Sequence, residues 1–107
     1  MQNLKRFTCY AGETKALVIE IENEQEGSEV GVAFVRGQTV IKKSFSTKDG
    51  TLTKEEDGCY HCELSESDTL EMGVATFVIE VKVESPTRVL IRPAGLLEIK
   101  RDQAYQL

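Results

Sequence analysis

The sequence predicts an all-β fold, an antiparallel β-sandwich of about seven strands with one short helical turn. Three observations lead there. Apolar residues recur with a period of two over most of the 107 residues, which is how strands read when one face lies on a core and the other in water. Turn signals built on Gly, Asp-Gly and Ser-Pro divide the chain at short intervals. Only one segment carries the punctuation of a helix. A small closed barrel is the alternative for the same strand spacing.

The elements follow in order. A first strand is expected near 6–10 and a second over 15–22, where Leu17, Ile19 and Ile21 alternate with Glu20 and Glu22. The run Val30-Gly31-Val32-Ala33-Phe34-Val35 is more continuously apolar, so 29–36 reads as a central strand. Arg36-Gly37-Gln38 turns the chain, and 39–46 returns beside it. Lys48-Asp49-Gly50 is a second turn, and Lys54-Glu55-Glu56-Asp57-Gly58 reads as a solvated charged loop. A strand over 58–64 places Tyr60, Cys62 and Leu64 on one face.

Next comes the helical segment. Ser65 caps it, Asp68 lies three residues on, and Gly73 stops it, which is a capping-box pattern with a glycine end. Leu70 is expected to plug the core beneath this corner. Over 74–84, Phe77, Ile79, Val81 and Val83 alternate with Glu80, Lys82 and Glu84. Ser85-Pro86-Thr87 separates that strand from the last, 88–100, which Pro93-Ala94-Gly95 interrupts. The tail 101–107 loses the alternation and is expected to fray. The predicted core is Leu17, Ile19, Ile21, Val32, Phe34, Tyr60, Cys62, Leu64, Leu70, Phe77, Ile79 and Val81.

The length fits a single domain over 1–107, since a chain of this size buries roughly 65% of its unfolded surface and needs no staples. With 13 Lys+Arg against 18 Asp+Glu the net charge is -5, and a sustained phosphate-binding surface is not expected. No stretch approaches the roughly 20 apolar residues of a membrane span. The opening Met1-Gln2-Asn3-Leu4-Lys5-Arg6 leads into no apolar signal core, so no signal peptide is expected.

The chemistry-bearing residues are few. Cys9, Cys59, His61 and Cys62 are four candidate zinc ligands, and Cys59 with Cys62 forms a C-x-x-C that also suggests a redox dithiol. On a straight strand, however, Cys59 and His61 face away from Cys62, and no helix follows directly to lower a thiol pKa. The expected state is three reduced thiols and no metal or cofactor, because an odd cysteine count does not close a disulfide framework. Glu24, Glu26, Glu55, Glu56 and Asp57 form acidic runs, and a calcium site at Glu55-Glu56-Asp57-Gly58 lacks the alternating ligand spacing that site type requires. No base stands poised beside a nucleophile, and no glycine-rich phosphate loop occurs. Tyr10, Tyr60 and Tyr105 are scattered and make no aromatic platform for sugar. Docking surfaces remain. Lys42, Lys43 and the Glu80, Lys82, Glu84 alternation read as charged guards of strand edges, and the last strand, with Leu96 and Leu97, reads as an apolar edge left open for a partner.

The order of features carries a resemblance. A Gly12-Glu13-Thr14 turn precedes an alternating strand, a central strand and its return follow, and then comes a corner with Gly58, Tyr60, Leu64, Ser65, Asp68, Thr69 and Leu70. This resembles the N-terminal immunoglobulin-like domain of phage upper-baseplate and related tail proteins, which carries an early Gly-Asp-Thr turn and a Gly-x-Tyr-x-x-x-Leu-(Ser/Thr)-x-x-(Asp/Glu)-Thr-Leu corner. The match spans most of 6–100 and departs at Glu13, where the family has Asp. An antibody-type domain is disfavoured, because the chain has no Trp and no cysteine pair joining distant strands. The resemblance implies an immunoglobulin-like sandwich acting as a non-enzymatic structural or assembly module of a phage or prophage tail or baseplate. It implies no catalytic residues and no cofactor. The implied partners are other phage structural proteins, with a homo-oligomer as a further option and neither nucleic acid nor membrane. The implied location is the virion, after synthesis in the bacterial cytoplasm. A ligand- or surface-glycan-binding β-sandwich is the alternative.

Overall fold

A computed structural model describes residues 5–21, 27–37, 40–56 and 58–101. It contains eight strands and one helix: β1 (Lys5–Tyr10), β2 (Lys15–Glu20), β3 (Glu29–Arg36), β4 (Val40–Ser46), β5 (Thr53–Glu56), β6 (Cys59–Leu64), α1 (Glu66–Met72), β7 (Ala75–Glu84) and β8 (Val89–Lys100). A five-stranded sheet runs β1-β8-β7-β3-β4, and a three-stranded sheet runs β2-β6-β5. The period-two residues do what alternation requires. Leu17 and Ile19 of β2 and Tyr60, Cys62 and Leu64 of β6 point inward from the small sheet. Val32, Phe34, Phe77, Ile79, Val81, Leu97 and Ile99 meet them from the large one. One hydrophobic core therefore lies between two sheets, as in a β-sandwich. Among the described residues, no helix is long and apolar enough to cross a membrane.

Five expectations need correction. The segment read as a charged loop contains β5, an edge strand paired with β6 alone, whose four residues are all exposed. It has no inward-facing apolar residue, so no period marks it. The sheets are also not wholly antiparallel: β1 runs parallel to β8, from Lys5 opposite Gly95 to Tyr10 opposite Lys100. That pairing covers β8, so the last strand is interior rather than an open edge, and Leu97 is fully buried. The Glu80, Lys82, Glu84 series likewise lies on β7, the middle strand of the sheet, and guards a face rather than an edge.

The fifth correction concerns the corner between β6 and β7. Its capping box is present: Ser65 Oγ accepts from the Asp68 N–H, and Asp68 Oδ2 accepts from the Ser65 N–H. The helix phase set by that cap turns Thr69 and Met72 inward, while Leu70 is 61% exposed. The core plug is thus Thr69 with Met72. The Thr69 hydroxyl accepts from the Gly12 N–H at 2.9 Å and donates to the Glu13 carbonyl at 2.9 Å, which ties α1 to the turn between β1 and β2. Two glycines are fixed by close backbone approach. Gly58 has φ of 79°, and a Cβ there would lie 2.9 Å from the Ile21 carbonyl oxygen. A Cβ on Gly95 would lie 2.7 Å from the Lys5 carbonyl oxygen, inside the β1–β8 pair. The interruption predicted at Pro93-Ala94-Gly95 is a bulge, seen as a register shift opposite Ile79 and Glu80. The expected fraying of the tail falls on residues of which 102–107 lie outside the described ones.

Candidate functional site

The cysteines and the histidine are dispersed by strand geometry. Cys9 is buried on β1 and Cys62 is buried on β6, while Cys59 and His61 are half-buried on the opposite face of β6. The C-x-x-C is therefore split across the small sheet. Desolvation pushes the Cys62 thiol up to about 12. Burial, with Glu13 nearby, raises Cys9, and desolvation, with Glu56 nearby, raises Cys59. All three shifts run opposite to those of an activated thiolate. His61 Nδ1 lies 4.0 Å from Glu55 Oε1 at the surface. Among the described residues, no group of three or more His, Cys, Asp or Glu is gathered to hold a metal ion. Glu55 and Glu56 are exposed, and Asp57, Glu24 and Glu26 lie outside the described residues. Tyr60 is buried in the core, Tyr10 is exposed at the end of β1, and Tyr105 lies outside the described residues.

The unusual surface is the outer face of the five-stranded sheet. Strand pairing arranges its outward residues in rows. One row crosses the sheet as Arg6, Leu96, Val78, Val35 and Ile41, and it is apolar on every strand but β1. Val35 is only 5% exposed, yet it points away from the main core and belongs to this row. Ile41 is 63% exposed. The next row reads Pro93, Glu80, Ala33, Ser44, and the one after it Ile91, Lys82, Gly31, Ser46. The face is thereby divided lengthwise. On β7 and β8 the outward side chains are long, whereas on β3 and β4 they are Gly31, Ala33, Ser44 and Ser46. The shortfall of side chain leaves a groove of about 350 Å³, bordered by Ile41 and Ile91.

The charges around this groove are nearly balanced. Lys48 pairs with Glu29 at 3.6 Å, and Lys82 pairs with Glu84 at 3.1 Å. Glu80 has no cation partner among the described residues. Its cross-strand neighbours are Ala33 and Pro93. The outer face of the small sheet is more polar: Glu20, His61 and Glu63 lie there, with Val18 as its exposed large aliphatic.

The edges are protected in different ways. On β4, Lys43 stands opposite Phe34 and turns toward the inside of the sandwich, where its Nζ meets Asp68 Oδ1 at 2.9 Å and lies 5.5 Å from the centre of the Phe45 ring. An inward-pointing charge at an edge strand is a known protection against edge-to-edge pairing. Lys42 is exposed on the same strand, and β5 presents Lys54, Glu55 and Glu56.

The apolar row was not found by period-two reading, because Val78, Val35 and Leu96 occupy positions that alternation assigns to water. The signal was nonetheless in the chain. Each sits directly beside a core residue, as Phe77-Val78, Phe34-Val35 and Leu96-Leu97, so apolar residues continue where a polar one is due. No protein-family model matches the chain, and no curated protein matches it.

Proposed function

We propose that this chain is a non-enzymatic structural module of a phage or prophage tail or baseplate that works by protein–protein docking. The single observation that carries the docking half of this reading is the outer face of the five-stranded sheet, where an apolar row borders a groove on the side away from the core. The phage assignment rests on the corner motif from Gly58 to Leu70 and the early Gly12 turn.

The immunoglobulin-like assignment draws support from connectivity. A sheet ordered β1-β8-β7-β3-β4 faces one ordered β2-β6-β5, and consecutive strands cross repeatedly between them. This is the arrangement expected of a Greek-key sandwich whose larger sheet includes one strand beyond the constant-type set. The corner motif has a structural role that fits the same reading: Ser65, Asp68 and Thr69 hold the crossover from one sheet to the other. In such a particle the protein would be made in the bacterial cytoplasm and act in several copies, with multiplicity converting weak single contacts into a stable assembly.

The test is capture of purified tail and baseplate proteins encoded beside this chain. Binding of at least one at micromolar concentration is the expected result, and binding of none refutes the assignment.

A further inference from the structure

We infer that the outer face of the five-stranded sheet is an interface between two copies of this chain, packed face to face about a two-fold axis. The inference rests on the docking reading above and names the occupant of that face as a second copy.

The argument is one of self-complementarity. Consider a two-fold axis lying in the interface, parallel to the strands and between β3 and β7. It keeps each row in register and exchanges the two halves of the face, so β7 lies over β3 of the second copy and β8 over its β4. The apolar row then covers itself: Leu96 meets Ile41 of the other copy, and Val78 lies over the position of Val35, which its own chain already shelters. In the next two rows long side chains fall on short ones, and in the last Glu84 lies over Glu29, each carboxylate already paired with a lysine of its own copy, Lys82 and Lys48. Glu80 lies over Ala33, Lys82 over Gly31, Pro93 over Ser44 and Ile91 over Ser46. The ridge of one copy thus fills the groove of the other, and a single groove on one half of the face serves both. Two Glu80 carboxylates and two Lys82 ammonium groups gather near the axis, neutral in sum, and Glu80 gains the second copy's Lys82 in addition to the one on its own strand.

The area is adequate. The four strands that overlap, β8, β7, β3 and β4, at about 4.8 Å and a β7 of ten residues at about 3.3 Å give a face of roughly 19 by 33 Å, about 630 Å². Two such faces together bury about 1,260 Å², at the lower end of the range for specific interfaces. The small sheet offers nothing equivalent. It has three strands, and its outward face carries Glu20, His61 and Glu63. Aligned face-to-face packing of sheets is also the geometry that twisted sheets favour.

Sedimentation velocity of the full chain, with reductant, from about 10 µM to 1 mM spans the range in which such an interface operates. The expected result is a reversible monomer–dimer equilibrium ending at twice 11.9 kDa. Ile91→Asp and Ala33→Arg each weaken association at least about tenfold, the first by charging the ridge and the second by filling the groove. Val18→Asp, on the outer face of the small sheet, leaves it unchanged. Urea midpoints establish that each variant is folded, and Ile91, already 54% exposed, tolerates the change. A monomer at every concentration overturns the inference. So does a dimer indifferent to both face variants, or a ladder of larger species, because a two-fold contact closes at two. Failure here is separable from failure of the tail assignment: a monomeric chain that still captures tail proteins overturns only the dimer, and a dimer that captures none overturns only the assignment.

Discussion

Replacing Thr69 by valine removes one hydroxyl and almost no volume, so it isolates the polar joint that fastens α1 to the β1–β2 turn. Thr69 is fully buried, and its hydroxyl serves two backbone groups of that turn, the Gly12 N–H and the Glu13 carbonyl, each at 2.9 Å. A third contact, to the Glu66 carbonyl at 3.1 Å, stays within the helix. An intramolecular hydrogen bond contributes about 1 kcal/mol net, and leaving a sheltered partner unsatisfied raises the cost toward 1–3 kcal/mol. Gly12 and Glu13 are near the surface and recover part of this through water, so the two lost bonds together cost about 2–3 kcal/mol. For a domain whose urea m-value is roughly 1–3 kcal/mol/M, the midpoint falls by about 0.7–3 M with m unchanged. Thr69→Ser keeps the hydroxyl and loses one methyl, for about 1 kcal/mol. Equilibrium urea unfolding followed by circular dichroism reads both. A Thr69→Val protein within about 0.5 kcal/mol of the parent, or one no less stable than Thr69→Ser, refutes the claim that this hydroxyl anchors the corner.

Three other perturbations have defined outcomes. Desolvation pushes the Asp68 carboxyl up, but hydrogen bonds from Ser65 and the Lys43 ammonium outweigh it and hold the group below the usual carboxylate range. Its contribution is therefore fully present above the unfolded-state value near 4 and is lost as pH falls through the lower folded value, so Asp68→Asn should flatten the stability loss in that acid window, as measured by thermal melts at stepped pH. Gly95→Ala places a methyl 2.7 Å from the Lys5 carbonyl oxygen and should cost about 2 kcal/mol, with faster amide exchange along β1 as its local signature. A thiol reagent at pH 8 should label Cys59 slowly in the native protein and leave Cys9 and Cys62 untouched until urea unfolds the chain, while rapid native labelling of Cys62 would contradict its burial.

Much of this fold is legible in the sequence where burial on one side imposes a period. The strands around Leu17, Phe34, Tyr60 and Phe77 declare themselves that way, and the Ser65, Asp68, Gly73 punctuation marks the helix. What escapes has a physical reason in each case. β5 is held by backbone hydrogen bonds to β6 and buries no side chain, so Thr53-Lys54-Glu55-Glu56 looks like any solvated loop. The parallel β1–β8 pair joins the two ends of the chain, and nothing local records a partner some 90 residues away. The phase of α1 was misjudged because Leu70 is the more apolar residue, whereas the corner needs a hydroxyl to satisfy Gly12 and Glu13. The outer face of the five-stranded sheet is the least legible part. Its apolar row is assembled from single residues on four strands, and only the sheet order brings them together.

That face is the centre of the functional account, and its burial in the assembled protein can be read residue by residue. Hydroxyl-radical footprinting at about 10 µM and at 1 mM would compare Ile41, Ile91 and Leu96 with Val18 and Leu70, which are exposed elsewhere on the molecule. Protection of the first three at high concentration, with Val18 and Leu70 unchanged, is the predicted result. Equal labelling of all five at both concentrations, or protection centred on Val18, would contradict it.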